Sequence, residues 1–178
     1  MPFQVKNTDI PEVKYVEIQR FGDERGFFEE LYRNRIFHEL GIRNKFNQVN
    51  LSFSKKNVFR GFHFQVNPEP QGKLVTVISG KIIDYAVDLR RNSVNYKKNV
   101  HYELTNGKML YVPEGFAHGF LAMEDSYVLY LTTSEFDNKL DSGIRYDDKE
   151  LNIKLPDDII VSQKDKGLKY LKDLNLDF

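Results

Sequence analysis

The stretch Gly107–His118, GKMLYVPEGFAH, sets two glycines, a proline and a histidine at short fixed intervals around an apolar run. Similar apolar runs recur along the chain roughly every ten residues and are separated by turn residues, which is typical of an all-β sandwich or barrel. Glycine accepts positive φ, so Asn106-Gly107 and Ser79-Gly80-Lys81 predict hairpin turns between consecutive strands. We therefore expect an all-β chain.

The candidate strands are short, largely apolar segments between turn residues. They are Lys14–Arg20, Gly26–Leu31, Phe46–Ser52, Val58–Phe64, Lys73–Ser79, Lys81–Asp88, Lys98–Leu104, Lys108–Val112, Gly119–Met123 and Tyr127–Thr133. Arg33–Leu40 has apolar residues at helical spacing and predicts one short helix. Ser162–Leu171 predicts a second helical or irregular segment.

Alternation along Lys81–Asp88 gives a first functional signal. Asp84, Ala86 and Asp88 share one face of this strand, and the apolar residues between them share the other. One face of a strand in a small barrel points into the lumen, where polar residues are unusual and indicate function.

Composition limits the classes of protein to consider. The chain has 178 residues, 40% of them hydrophobic, which suits one domain over residues 1–178. Its 26 basic and 26 acidic residues balance, so bulk charge does not favour binding to nucleic acid or to an anionic membrane. The lack of cysteine excludes disulfides, thiolate nucleophiles and iron–sulfur clusters. Without a signal peptide or a run of about 18 apolar residues, we expect a soluble, cytoplasmic protein.

Histidine is the side chain best suited to acid–base or metal chemistry near neutral pH. The chain has four: His38, His63, His101 and His118. His38 lies in the predicted helix and His101 on a lysine-rich strand, so both are expected at the surface. His63 lies in the segment RGFHFQ, where alternation places it on one face with Gly61 and Gln65.

The second candidate, His118, ends a recurring pattern. Five, one and two residues separate Gly107, Pro113, Gly115 and His118, a spacing that resembles the second motif of the cupins. The resemblance implies a cupin-like double-stranded β-helix, or jelly roll, with His118 facing the lumen.

The first cupin motif is altered in this chain. A His-x-His pair is replaced by His63-Phe64-Gln65. A metal site formed by His63, Glu69 and His118 remains an alternative. Glutamine is a poor ligand for the metals that favour imidazole, so the sequence favours a metal-free site.

Several blocks in the same order resemble one family. They are Phe21–Phe28, Arg60–Gln65, Pro70–Val75, Asp84–Arg90, Val112–Phe120 and Ser162–Asp165. Together they are similar to the dTDP-4-dehydrorhamnose 3,5-epimerase family over nearly the whole chain. The resemblance implies a homodimer with no metal and no organic cofactor. It also implies epimerisation at C3 and C5 of dTDP-4-dehydro-6-deoxy-D-glucose, giving dTDP-4-dehydro-L-rhamnose in dTDP-L-rhamnose biosynthesis.

This chemistry explains which residue types such a site needs. The protons at C3 and C5 are acidic because both carbons lie next to the C4 ketone. Inversion requires one group to remove a proton, another to return one from the opposite face, and a positive group to hold the enolate oxygen. The resemblance gives these roles to His63 as base with Asp165 as its partner, Tyr130 as proton donor and Lys73 near the enolate.

The resemblance also implies a set of contacts to the nucleotide sugar. They are Arg25, Glu30, Gln48, Asn50, Arg60, His118 and Lys164. Arginine suits a diphosphate because its guanidinium donates two parallel hydrogen bonds. Three residues depart from the family pattern. Phe136 stands where a tyrosine usually stacks on the base, Asp141 where glutamate is common, and Leu131 where lysine is frequent.

Several alternatives remain open. The chain resembles a family that includes enzymes inverting only C3 or only C5 and enzymes acting on other nucleotide sugars. A metal-dependent cupin oxygenase or isomerase is a separate class. A non-catalytic sugar-binding module is disfavoured, because binding alone needs no opposed acid and base.

Overall fold

The structure is a computed structural model that describes residues 2–176 and 178. Its strands are β1 Phe3–Asn7, β2 Lys14–Ile18, β3 Arg20–Asp23, β4 Gly26–Glu29, β5 Gln48–Ser54, β6 Val58–Gln65, β7 Lys73–Ser79, β8 Lys81–Asp88, β9 Asn99–Thr105, β10 Lys108–Val112, β11 Phe116–Ala122, β12 Ser126–Thr132, β13 Asp141–Gly143 and β14 Ile160–Val161. The helices are α1 Asn34–Glu39 and α2 Gln163–Lys166, with single 3-10 turns at Lys149–Leu151 and Leu171–Asp173.

Most strands belong to two sheets that face each other across the core. One sheet has the order β1-β2-β10-β7-β12-β5, and the other has the order β13-β6-β11-β8-β9. β14 adds to β6 in parallel, and β3 and β4 form a separate hairpin. The chain repeatedly crosses between the two sheets, which is the winding of a jelly roll. The predicted cupin-like, nearly all-β fold is confirmed.

Gly80 and Gly107 form corners between the sheets, so the prediction of hairpin turns was wrong. β7 already pairs with β10 and β12, and β8 pairs with β9 and β11, which leaves them no free edge for each other. Both edges of β10 are likewise filled, by β2 and β7. The glycines do have positive φ, +93° and +84°. A Cβ at Gly80 would lie 2.4 Å from the carbonyl oxygen of Asp125.

Three apolar clusters stabilise this arrangement. One lies between the sheets and joins β7, β10 and β12 to β8, β9 and β11. A second covers the outer face of the β6 sheet, where the C-terminal residues Leu171 and Leu176 pack. A third covers the outer face of the other sheet beneath α1. Because β11 is covered on both faces, all its residues are buried.

Helix α1 confirms the helix predicted over Arg33–Leu40. Ile36 and Phe37 are its buried residues. It ends where Gly41 takes a φ of +89°, and the amide of Ile42 donates to the carbonyl of Phe37 at 2.9 Å. This pattern is a Schellman motif, which closes helices at a left-handed glycine.

Other boundaries differ from the sequence prediction in informative ways. β11 begins at Phe116 rather than Gly119, so His118 lies inside a strand that is paired on both sides. Predicted strand Lys14–Arg20 is interrupted at Gln19, between β2 and β3. β13 and β14 have three and two residues, too few to show a periodicity. No helix among the described residues is long and apolar enough to cross a membrane.

Candidate active site

A cavity of about 720 Å³ opens between the two sheets. Strands β5, β7 and β12 form one wall, and β6 and β11 form the facing wall, with α2 at the rim. All predicted site residues except Arg25 and Glu30 line it. They are His63, Lys73, Tyr130 and Asp165, together with Gln48, Asn50, Arg60, His118, Phe136, Asp141 and Lys164.

His63 and Asp165 form the predicted imidazole–carboxylate pair. Nε2 of His63 lies 3.0 Å from Oδ1 of Asp165. Asp165 is buried in α2, and its own amide donates to the hydroxyl of Ser162, the residue that caps this helix. Burial raises the pKa of Asp165, but hydrogen bonds from His63, Gly61 and Ser162 outweigh it and hold this pKa below its ordinary value. The carboxylate is therefore charged and fixes the tautomer of His63.

A bulge in β6 brings Arg60 and His63 into the same cavity. His63 pairs with His118, whereas Arg60 pairs with Phe120, so β6 has one extra residue in this interval. Strict alternation would place residues three apart on opposite faces, but both line the cavity. Gly61 has a φ of +133°, and a Cβ there would lie 2.5 Å from the Cα of Gly119. It therefore faces β11 instead of continuing the predicted polar face.

Tyr130 and Lys73 come from the wall opposite His63. Tyr130 pairs with Asn50 on β5, and Lys73 pairs with Thr132 two residues further along β12. Burial raises the pKa of Tyr130, although the charge of Arg60 opposes this shift. Tyr130 is therefore protonated at neutral pH and has a proton to donate.

Lys73 is buried at the base of the cavity. Its Nζ donates to the carbonyl of His63 at 3.4 Å. Burial lowers the pKa of Lys73 to about 8, although the charges of Asp141 and Asp84 oppose this shift. A cation held in a site of low polarity attracts a developing negative charge more strongly than it would in water.

His118 is held by Asp84, a residue that the sequence motifs do not assign to the site. Its Nε2 lies 2.6 Å from Oδ1 of Asp84, and both side chains are buried. Alternation along β8 already placed Asp84 and Asp88 on one face of the strand. The strand register needed to connect it with His118 was not available from the sequence.

Gln65 has a structural role at the position of the missing cupin histidine. Its Nε2 donates to the carbonyls of Glu69 and Glu135, and its Oε1 accepts from the amide of Asp137. Glu69 does not line the cavity. Among residues 2–176 and 178, no group of three or more histidine, aspartate or glutamate side chains could hold a metal ion. The alternative metal site of His63, Glu69 and His118 is not assembled.

The rim of the cavity carries the remaining predicted contacts. Oε1 of Gln48 accepts from the amide of Phe136 at 2.8 Å, and this bond holds the phenyl ring at the rim with half of its surface exposed. Nζ of Lys164 lies 2.5 Å from Oδ2 of Asp141. Lys164 is the exposed partner, so an incoming anion could compete with Asp141 for it.

Arg25 and Glu30 lie away from this cavity. Arg25 is in the turn of the β3–β4 hairpin, where it pairs with Asp23 and 84% of its side chain is exposed. Glu30 pairs with Arg33 beside helix α1. The structure does not bring either residue to the cavity of its own protomer.

Comparison with known proteins gives a consistent family. The family described as dTDP-4-dehydrorhamnose 3,5-epimerase matches residues 7–173. Relatives with that name from Methanothermobacter thermautotrophicus and Escherichia coli (strain K12) are each 42% identical to this chain. Both matches cover 96% of this chain, and they cover 96% and 95% of the two relatives.

Solved structures of the same family are similar to this chain over nearly its whole length. One is dTDP-6-deoxy-D-glucose-3,5-epimerase from Legionella pneumophila Philadelphia 1 in complex with dTDP-4-keto-L-rhamnose. It is 36% identical, with a TM-score of 0.93 over 97% of this chain and 95% of that chain. Another is dTDP-4-dehydrorhamnose 3,5-epimerase from Sulfolobus tokodaii, 38% identical with a TM-score of 0.92 over 99% of both chains.

Proposed function

The chain belongs to the dTDP-4-dehydrorhamnose 3,5-epimerase family, and we propose that it inverts C3 and C5 of dTDP-4-dehydro-6-deoxy-D-glucose to give dTDP-4-dehydro-L-rhamnose. The observation that carries this proposal is the placement of His63 and Tyr130 on facing walls of one cavity. Inversion at carbon needs a base on one side of the sugar ring and an acid on the other. The Legionella relative is in complex with the corresponding 4-keto sugar nucleotide.

Each inversion is one proton removed and one proton returned. His63 takes the proton from the carbon next to the ketone, and the electron pair of that C–H bond moves into the carbonyl to form an enolate. Tyr130 then gives its hydroxyl proton to the same carbon from the opposite face, and the electron pair returns. Solvent restores the proton of Tyr130 and takes the proton of His63, so both groups are ready for the second carbon.

Two charged groups support these steps. Asp165 accepts from Nε2 of His63, which leaves Nδ1 as the ring nitrogen free to receive the substrate proton. The same carboxylate stabilises the imidazolium that forms. Lys73 stabilises the enolate oxygen more strongly than a neutral side chain would, because it carries a positive charge.

The nucleotide end of the substrate is bound near the rim. Arg60 and Lys164 supply positive charge for the diphosphate, and Phe136 stacks on the base. Lys164 exchanges its ion pair with Asp141 for a phosphate oxygen when substrate binds. Phenylalanine retains the stacking surface that tyrosine has in other members of the family but lacks its hydroxyl.

We also propose that the protein is a homodimer. The edge strand β5 has a face with exposed apolar residues: Val49, Leu51 and Phe53. The β3–β4 hairpin exposes Phe27 and Phe28 in addition to Arg25. Exposed strand edges and apolar surface of this kind favour association with another chain. A two-fold dimer would bury them, and it would also allow Arg25 and Glu30 to reach a partner's cavity.

We propose that residues 1–178 form one epimerase domain that acts in the cytoplasm. The cysteine-free sequence fits a reducing compartment. In this proposal the protein binds the nucleotide sugar as its only ligand and has no nucleic acid or membrane partner.

Incubation with the 4-keto substrate in deuterated water tests the function directly. The proposed reaction puts deuterium at both C3 and C5, and the product has inverted configuration at both carbons. Deuterium and inversion at one carbon only would instead identify a C3-only or C5-only epimerase. The absence of any exchange with this substrate would contradict the proposal.

A further inference from the structure

Asp84 is a buried carboxylate that the proton transfers proposed above do not use. Its side chain is fully buried on β8, and its Oδ2 atom has no hydrogen-bond partner. Burying a carboxylate costs several kcal/mol unless its partners compensate for the lost water. A buried oxygen without a partner adds to that cost and calls for an explanation.

Packing does not explain the carboxylate. Asp84 lies on the same face of β8 as Ile82 and Ala86, which belong to the apolar cluster between the sheets. Its register partner on β11 is Phe120, a member of the same cluster. An apolar side chain of similar size would fill this position without the cost of desolvating a charge.

The bond to His118 supplies the explanation. The distance of 2.6 Å between Nε2 and Oδ1 of Asp84 is short for a nitrogen–oxygen pair, as expected when the acceptor is charged. A carboxylate at Nε2 favours the tautomer with its proton on that atom. Nδ1 is then the ring nitrogen of His118 that remains for a ligand in the cavity.

The electrostatic surroundings connect Asp84 with the cavity. Burial raises the pKa of Asp84 above its ordinary value, although the charges of His118 and Lys73 oppose this shift. The charge of Asp84 acts in turn on Lys73, where it opposes the effect of burial on the pKa of the amine. Asp84 therefore interacts with two groups that line the cavity without lining it itself.

We propose that Asp84 is a positioning residue that holds His118 so that its Nδ1 atom faces the bound nucleotide sugar. The inference rests on the proposed function for the identity of that ligand. The arrangement repeats the geometry of His63 and Asp165 on the next strand. Because it acts through His118, Asp84 affects binding of the substrate more than the proton transfers.

Nitrogen-15 NMR of the histidine rings tests the geometric part without any substrate. In the wild-type protein we expect His118 to have its proton on Nε2. In Asp84→Asn, the amide offers both a donor and an acceptor, so the two tautomers should mix and the His118 ring signals should shift. Identical His118 signals in the two proteins would overturn the proposal, whether or not the enzyme has the proposed activity.

Kinetics with a double-mutant cycle test the functional part. Asp84→Asn should lower kcat/KM about ten- to hundredfold, as expected for loss of a charge-assisted hydrogen bond, mainly through a higher KM. Measured well below pH 8, where Lys73 keeps its charge, the same change in a His118→Gln background should cause little further loss, because the residue it positions is gone. An equal loss in both backgrounds would show a role that does not pass through His118 and would overturn the proposal.

Asp88→Asn is the matched control. Asp88 lies on the same face of β8 and is equally buried, but it bonds to Arg90 and Ser93 and does not line the cavity. This variant should lower the melting temperature and leave KM and the His118 ring signals unchanged. If Asp88→Asn raised KM as much as Asp84→Asn, the effect would be general destabilisation and the proposal would fail.

Discussion

His63 and His118 are direct partners on neighbouring antiparallel strands, and each contacts a different buried aspartate through its Nε2 atom. Both imidazoles line the same cavity and leave Nδ1 for a ligand. They differ in exposure, because 28% of the His63 side chain is accessible while that of His118 is nearly buried. We assign proton transfer to the accessible histidine and binding to the buried one.

Replacing His63 should stop the reaction before an enolate forms. We expect the turnover rate of His63→Ala to fall by at least the roughly 10²- to 10⁴-fold typical of a missing general base. The variant should also show no deuterium exchange at C5. Asp165→Asn should be intermediate, because the imidazole remains but its charged form is less stabilised. The measurement is deuterium content by mass spectrometry. Exchange at C5 in His63→Ala would assign the base elsewhere.

Replacing Tyr130 should separate exchange from inversion. Tyr130→Phe keeps the ring but has no proton to give, so the enolate can be protonated again only from the side of His63. We expect deuterium to enter the substrate without a change of configuration, while turnover falls about 10²-fold or more. Proton NMR of the recovered sugar reports both. Epimerisation at the wild-type rate would contradict the assignment of Tyr130 as acid.

The charge of Lys73 should set the alkaline limit of activity. With a pKa of about 8, Lys73 is positive below that pH and neutral above it. Stabilisation of the enolate is thus present below pH 8 and is lost as pH rises, so kcat/KM should fall through about pH 8. Lys73→Arg retains its charge and should remove this decline, though at a lower overall rate. An unchanged decline in Lys73→Arg would implicate another group.

Metal removal should leave the enzyme active. Gln65 stands where a second cupin histidine would be, and Glu69 lies outside the cavity. We expect full activity after dialysis against EDTA and no stimulation by added divalent ions. Loss of activity in EDTA that a single divalent ion restores would decide for the metal-dependent alternative.

The oligomeric state should depend on the exposed face of β5. Light scattering at micromolar concentration should give about twice the protomer mass of 20.9 kDa. Leu51→Glu should reduce this to the mass of one protomer, because it places a charge in the proposed interface without touching the core. Val94→Glu, at an exposed loop position, is the control and should stay dimeric. A monomeric wild-type protein would refute the dimer.

The strands that turn residues delimit were predictable from the sequence, but their irregularities were not. Strand Lys81–Asp88 was predicted with its observed bounds, because it begins after the turn at Gly80 and ends before the polar run Arg90–Ser93. The bulge that turns Arg60 and His63 to one side depends on the close approach of Gly61 to Gly119, a contact between distant residues. No periodicity within β6 reports such a contact.

In the candidate site, too, contacts between residues distant in sequence were not predictable. The family resemblance predicted that His63, Asp165 and Lys73 share one site, and in the structure all three line one cavity. Asp84 was visible as a polar residue on a strand face, but its partner became evident only from the register of β8 and β11. The direction in which the β3–β4 hairpin carries Arg25 depends on tertiary packing, which a linear motif does not contain.

The side chain of Gln65 constrains how this barrel could acquire metal chemistry. It bonds three backbone groups of the flanking loops, with two donors from its amide nitrogen and one acceptor. A neutral imidazole has one donor and one acceptor, so Gln65→His would leave at least one loop carbonyl without its hydrogen bond. This single substitution would thus weaken the attachment of the loop that carries Phe136, and it would not by itself complete a set of metal ligands. A metal-binding histidine at this position therefore requires a different arrangement of the two flanking loops.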